Sequence, residues 1–149
     1  MKKKNNLIFI VTGSVCSGKT TFAKKLCEDN GFIYLDVSKL IKDKKIIDSY
    51  DKKRECFVVD VRKLNRELIK IIKKSNESLV IDSHLSHYLD PKYVDLCFVM
   101  KTELRILKKR LEKRKYSKEK IRENLDAEIF DICYNEALGI GHKIIVVSN

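Results

Sequence analysis

No apolar run in the 149 residues approaches the roughly 20 needed to cross a bilayer as a helix, so no membrane association is expected. The basic start, Met1-Lys2-Lys3-Lys4-Asn5-Asn6, precedes only five apolar residues, too few for a signal-peptide core. C-x-x-C pairs are absent as well. Five scattered cysteines, an odd number, exclude a disulfide frame and predict reduced thiols inside a cell, in the cytoplasm and, in a eukaryote, also the nucleus. Cys27, Cys56, Cys97 and Cys133 read as small core or near-core residues, and Cys16 as a loop residue valued for its backbone. His84 and His87 have H-x-x-H spacing but no second pair of ligands to complete a zinc site. Internal repeats, low-complexity tracts and linkers are also lacking, which predicts a single domain over residues 1–149.

Charge of one sign is abundant. The net charge is +11, and residues 101–122 hold eleven Lys/Arg against three Glu, or +8. Such a run is most often a solvated helix face, and it is equally compatible with binding phosphates, RNA or an acidic partner.

Leu7-Ile8-Phe9-Ile10-Val11 runs straight into Gly13-Ser14-Val15-Cys16-Ser17-Gly18-Lys19-Thr20, which fits G-x-x-x-x-G-K-[ST]. A helical pattern (Phe22, Ala23, Leu26, Cys27) follows, so strand, loop and helix stand in the order a phosphate-binding loop requires. Its backbone N–H groups converge on one concavity at the positive end of the helix dipole. Gly13, Cys16, Ser17, Gly18, Lys19, Thr20 and Thr21 are the expected triphosphate-binding residues. Lys19 would reach the β- and γ-phosphates and Thr20 would sit on Mg²⁺.

The rest of the chain alternates strands and helices. Helices are expected over about 19–29 (stopping at Asn30-Gly31), from a Ser38 cap through Leu40 and Ile41, after an Asp60 cap with Leu64 and Leu68 inward, over 104–115, and from a Ser117 cap to about 138 with Gly139 as its stop. That last helix should turn Ile121, Leu125, Ile129, Ile132 and Cys133 inward. Strands are expected near 7–11, 32–35, 79–82, 94–100 and 143–147, with 45–57 a loop or hairpin-like excursion. The pattern predicts a three-layer α/β/α sandwich on a parallel sheet of about five strands, with ligands at the carboxyl ends.

Asp82 closes an apolar strand and suits the Walker-B role on Mg²⁺ or its water, against the plainer reading of a strand-end turn cap. His84 either contacts a phosphate or water or is an ordinary solvent-facing loop histidine, and His87 and His142 take that plainer reading. Arg110 and Arg114 stand one helical turn apart, with Arg105 on the same basic helix; guanidinium forks suit a transferring phosphoryl group. Asp48, Tyr50, Asp51 and Asp60 are candidates for gripping a second substrate. A guanine-reading N-K-x-D is absent, and Leu85 stands where a GTPase has glycine three places after the Walker-B Asp, which argues against that class.

These motifs together resemble the small atypical adenylate kinases of archaea and eukaryotes, the adenylate kinase 6 group, over about residues 7–137. The loop stands as GSVCSGKTT, the acceptor segment as Asp48-Ser49-Tyr50-Asp51 through Cys56 and then Asp60, and the D-x-H element as Asp82-Ser83-His84. The lid signature stands as Arg110-Leu111-Glu112-Lys113-Arg114-Lys115-Tyr116, with Lys120, Asn124 and Glu128-Ile129-Phe130 in register. The resemblance implies a monophosphate-binding segment over about 36–59, including Asp36 and Lys42, and a lid over about 113–123 that sets Arg114 on ATP. It also implies phosphoryl transfer from Mg-ATP to AMP or a related monophosphate and ATP hydrolysis, with His84 in the catalytic element. A role in small ribosomal subunit maturation follows from it too, with binding to a small-subunit ribosomal protein in the pre-ribosomal particle. Lys42 stands where the family commonly has an arginine, and Ser49 and Lys115 replace glycines.

Overall fold

The computed structural model describes residues 6–149; the cluster Lys2, Lys3 and Lys4 lies outside them. Strand β1 (Ile8–Thr12) is flanked by β5 (Leu79–Asp82) and β6 (Leu96–Lys101) in a five-stranded sheet. With β2 (Ile33–Asp36) and β7 (Ile144–Ser148) at the edges, its order is β2-β5-β1-β6-β7, parallel throughout. Strand alternation divides the core into two layers. Ile8, Ile10, Leu79, Ile81, Cys97 and Val99 point to one face, where Leu64 and Leu68 of helix α3 (Val61–Lys74) and Ala137 of α6 (Ile132–Ile140) cover them. Val11, Val80, Phe98 and Met100 point to the other, against Ala23 and Cys27 of α1 (Lys19–Asn30). Burial on both faces explains why these strands read as unbroken apolar runs. The three-layer α/β/α sandwich follows.

Most boundaries agree with the sequence within two residues. Gly31, at φ 70, closes α1 by donating its N–H to the Cys27 carbonyl, and Asp60 caps α3 at Lys63 N. The 45–57 stretch is an antiparallel hairpin, β3 (Ile47–Asp51) with β4 (Cys56–Val59), and Asp51 Oδ1 caps its turn at Lys53 N and Arg54 N. Strand β6 begins at Leu96 rather than 94, because Asp95 Oδ2 accepts the Ile8 N–H there and Val94 closes a 3-10 turn.

Four expectations are corrected. Ser38 is not the cap of α2 (Val37–Asp43): Asp36 is, its carboxylate accepting from Lys39 N. The expected helix to residue 138 is two, α5 (Lys118–Ile129) and α6, broken where Asp131 takes φ 52 and its side chain pairs with Lys101. The break leaves Ile129 and Ile132 exposed rather than inward. Gly139 does not stop the helix, which runs on to Gly141 at φ 106. Cys56 is exposed on β4, whereas Cys27 and Cys97 are buried. The basic helix α4 (Leu104–Lys113) ends at Arg114, with Leu107 and Leu111 buried and Leu104 exposed.

Leu68 is fully buried in the main core. Leu68→Ala is expected to lower the unfolding free energy by about 3 kcal/mol with an unchanged denaturant slope, as measured by urea titration. A loss below about 1 kcal/mol would mean that this face repacks.

Candidate active site

The turn from β1 into α1 is held from outside at the Cys16 and Ser17 carbonyls. Ser17 O accepts from Thr102 Oγ1 and from Asn149 Nδ2, each at 3.1 Å, and Cys16 O accepts from an Arg110 guanidinium nitrogen at 3.0 Å. Because the peptide unit is planar and trans, a Ser17 carbonyl drawn outward turns the Gly18 N–H the opposite way, toward the cleft. Lys19 Nζ folds over the loop to Gly13 O (3.1 Å) and Ser14 O (2.7 Å). Burial pulls the pKa of Lys19 down, and the nearby Asp82 carboxylate opposes that pull. Gly13 and Gly18 stand at φ 151 and φ 88, and a Cβ on Gly18 would meet Asn149 Nδ2 at 2.1 Å. The left-handed φ of Gly18 is the reason that position favours glycine.

Beneath the loop, buried Glu128 takes Ser14 Oγ at 3.1 Å and the Thr102 N–H at 2.7 Å, with Lys101 Nζ 3.6 Å away. This tie was present in the sequence only as one letter of a motif.

Thr20 Oγ1 and the Tyr34 hydroxyl each donate to Asp82 Oδ2 at 2.8 Å. Asp82 therefore joins the end of β5 to the first turn of α1, and Thr20 and Asp82 supply the adjacent oxygens that a hard divalent cation favours. Tyr34, which had no role in the sequence reading, has its pKa raised by burial and then by the Asp82 bond. His84 follows on the same loop. Its cleft side is open to solvent, while surrounding protein and the Lys19 ammonium push its pKa down to about 4, so the imidazole is neutral near pH 7.

A cavity of about 710 Å³ opens over the loop, lined by Cys16, Ser17, Gly18, Lys19, Thr20 and Thr21 together with His84, Arg110, Lys113 and Arg114. Four cations and no Asp or Glu side chain line it among the described residues, a composition that suits a polyanion. Tyr116 and Cys16 raise the pKa of Arg114, in that order. Arg105 stands apart, paired with Glu103. A second cavity of about 460 Å³ adjoins the first and shares Val15, Ser38 and His84 with it; Ile41, Lys42, Ile47, Phe57, Val59 and Asn124 are among its walls.

Of the acceptor-side candidates, Lys42 lines this second cavity, whereas Asp36, Asp48, Tyr50, Asp51 and Asp60 do not. Asp36, Asp51 and Asp60 each cap a local backbone turn, Tyr50 stacks edge-on with Phe57, and Asp48 is exposed on β3. Ser38 and Asn149 reach the cleft without having been singled out. An N-cap pattern drew Ser38 to the wrong role, and Asn149 carries no local signal. His87 and His142 are buried rather than solvent-facing: His87 bridges Thr12 Oγ1 (2.7 Å) and Glu136 Oε1 (3.1 Å), and His142 Nε2 bonds the His87 carbonyl at 2.8 Å.

Residues 9–131 match a family model described as an AAA domain. The chain is 32% identical over 145 residues to the adenylate kinase isoenzyme 6 homolog of Dictyostelium discoideum, covering 97% of this chain and 82% of the relative. It is 30% identical over 128 residues to the adenylate kinase isoenzyme 6 homolog of Caenorhabditis elegans, covering 86% and 70%. Among solved structures, shikimate kinase from Acinetobacter baumannii in complex with shikimate superposes with a TM-score of 0.64 at 14% identity, covering 98% of this chain and 86% of that one. At that identity the likeness is one of fold.

His87 gives a pH dependence of known sign. Burial lowers its pKa, with Glu136 opposing and His142 reinforcing the shift, so its contribution to stability is complete above about pH 6.5 and is lost as pH falls below that value. Between pH 7 and pH 5, His87→Gln is expected to lose less unfolding free energy than the wild type in matched denaturant titrations. Equal losses would show that His87 does not titrate differently on folding.

Proposed function

The chain belongs to the adenylate kinase isoenzyme 6 homologue family and has an adenylate kinase-like nucleotide kinase function, and from that premise we propose that it transfers a phosphoryl group from Mg-ATP to AMP or a related nucleoside monophosphate. The observation that carries the reading is the junction of the two cavities at Val15, Ser38 and His84. The larger is a polycationic cradle for the triphosphate. The smaller combines an apolar wall suited to a base with Lys42 and Arg54 for a phosphate. A donor and an acceptor seated in them would meet at His84.

The donor set fits the magnesium ion that such a reaction uses: Thr20 and Asp82 would hold it, Asp82 partly through water, and when bound it neutralises phosphate charge. Lys19 binds the β- and γ-phosphates once it exchanges the loop carbonyls for them. Arg110 and Arg114, at the hinge of the 113–123 lid, stabilise charge spread over the transferring group. Neutral His84 orients a phosphate or water by hydrogen bonding. Lys42 offers a point charge rather than a bidentate fork to the acceptor phosphate. When no acceptor is seated, water reaching the same position would take the phosphoryl group and hydrolyse ATP.

A second reading is supported by the exposed cations of α4 and α5 within the +8 stretch of residues 101–122: an ATP-switched factor in small ribosomal subunit maturation, contacting a small-subunit ribosomal protein and pre-ribosomal RNA, with monophosphate kinase activity incidental. Steeply salt-dependent binding to small-subunit components that changes with ATP would favour it.

Lys19→Met separates the chemistry from the fold. Formation of ADP from ATP and AMP, followed chromatographically, should fall by about a hundredfold or more while the circular dichroism spectrum is unchanged. Near-wild-type transfer by a well-folded variant would remove Lys19 from the mechanism.

A further inference from the structure

The tip of the hairpin closes onto the lid. Glu55 Oε2 accepts the Ser117 N–H at 3.0 Å, at the residue whose hydroxyl caps α5. In return Lys120 Nζ donates to the Glu55 carbonyl at 2.7 Å while lying 4.0 Å from the Tyr116 ring centroid. Arg54 adds a pair with Glu123 at 3.5 Å, a weak contact since both side chains are half exposed or more. On either side of the clasp a non-glycine residue takes the left-handed backbone region: Glu55 at φ 52 and Lys115 at φ 59. Such residues hold that conformation when their surroundings impose it.

The clasp stands where it can set the shape of the acceptor cavity. Arg54, Cys56 and Phe57 from the hairpin and Lys120, Glu123 and Asn124 from α5 line that one cavity. Two hydrogen bonds at Glu55 and the Arg54–Glu123 pair join the two segments across that cavity. Within that set the Glu55–Ser117 bond places a carboxylate at the N-cap of a helix, where the helix dipole favours negative charge.

We propose that Glu55 is a positioning residue that ties the acceptor hairpin to the lid, so that the two close as one body and fix the width of the monophosphate cavity. The proposal rests on the nucleotide kinase reading above. The bonds that hold the loop over residues 13–20, from Thr102, Arg110, Glu128 and Asn149, involve neither partner of the clasp. Loss of Glu55 therefore leaves those bonds in place and acts first on the acceptor.

The test is Glu55→Ala in the full chain, read three ways. KM for AMP at saturating Mg-ATP should rise about tenfold, with a smaller change in kcat, as expected on losing one charged hydrogen bond. The dissociation constant of a non-hydrolysable ATP analogue, measured without AMP, should stay within about twofold of the wild type. Hydrogen exchange in the nucleotide-free protein should quicken over residues 116–121 and stay unchanged over 8–12 and 96–101. Glu55→Gln, which keeps an oxygen for the Ser117 N–H, should recover most of the KM. If Glu55→Ala exchanges faster throughout, Lys120→Met tests the same clasp from the lid side, with faster exchange expected over 52–56. Wild-type KM together with wild-type exchange overturns the proposal, as does an equal loss of ATP-analogue affinity, which would mark a general structural role. A wild-type protein that phosphorylates no monophosphate removes the kinase reading itself, and with it the role of Glu55 toward an acceptor.

Discussion

The outward hold on the carbonyls of Cys16 and Ser17 is the constraint on which the rest of the site depends. A backbone curled tightly enough to aim its N–H groups at one anion would otherwise turn its carbonyl dipoles on the same ligand. Here those dipoles are taken up by Arg110, Thr102 and Asn149, side chains from α4, the end of β6 and the end of β7. Glu128 then secures the underside through Ser14 and the Thr102 N–H. The parallel sheet brings these groups together: with β1 in the middle of the order, the carboxyl ends of β5, β6 and β7 all open beside the loop.

Charge follows the same logic. Glu128 is nearly inaccessible to solvent, and Lys101 and two hydrogen-bond donors surround it. The cavity above the loop carries the opposite sign, Lys19, Arg110, Lys113 and Arg114 facing it with no Asp or Glu side chain among the described residues of its walls. Mutual repulsion among these cations is relieved when a polyanion enters, so the free site is tuned to its ligand rather than to its own stability. Burial is the larger cause of the low pKa of His84, and the Lys19 ammonium adds to it.

The sheet, the two-sided core and the phosphate loop were legible in the sequence because each rests on local periodicity or on a motif whose residues act on one another nearby. Ile8, Ile10 and Val11 alternate between the layers as their pattern implies. What failed depends on residues distant in sequence. The last long helix is interrupted at Asp131, whose side chain pairs with Lys101, thirty positions away. The capping competition between Asp36 and Ser38 was settled by where β2 ends, beside Asp82 in the register. Glu128, Tyr34 and Asn149 serve the loop from three different elements, and no spacing rule links them to it. The carboxylates of the 36–60 segment were candidates from their type and from the family motif, and Asp36, Asp51 and Asp60 each cap a local turn.

The central claim is that two adjoining cavities hold a phosphoryl donor and its acceptor for direct transfer. It is tested most directly by ³¹P NMR of the wild-type protein with Mg-ATP, with and without AMP. The account predicts that AMP is consumed and that two ADP appear for each ATP lost, with little inorganic phosphate. Conversion of ATP to ADP and inorganic phosphate at the same rate whether or not AMP is present would contradict it, and would leave the second cavity without an acceptor to hold.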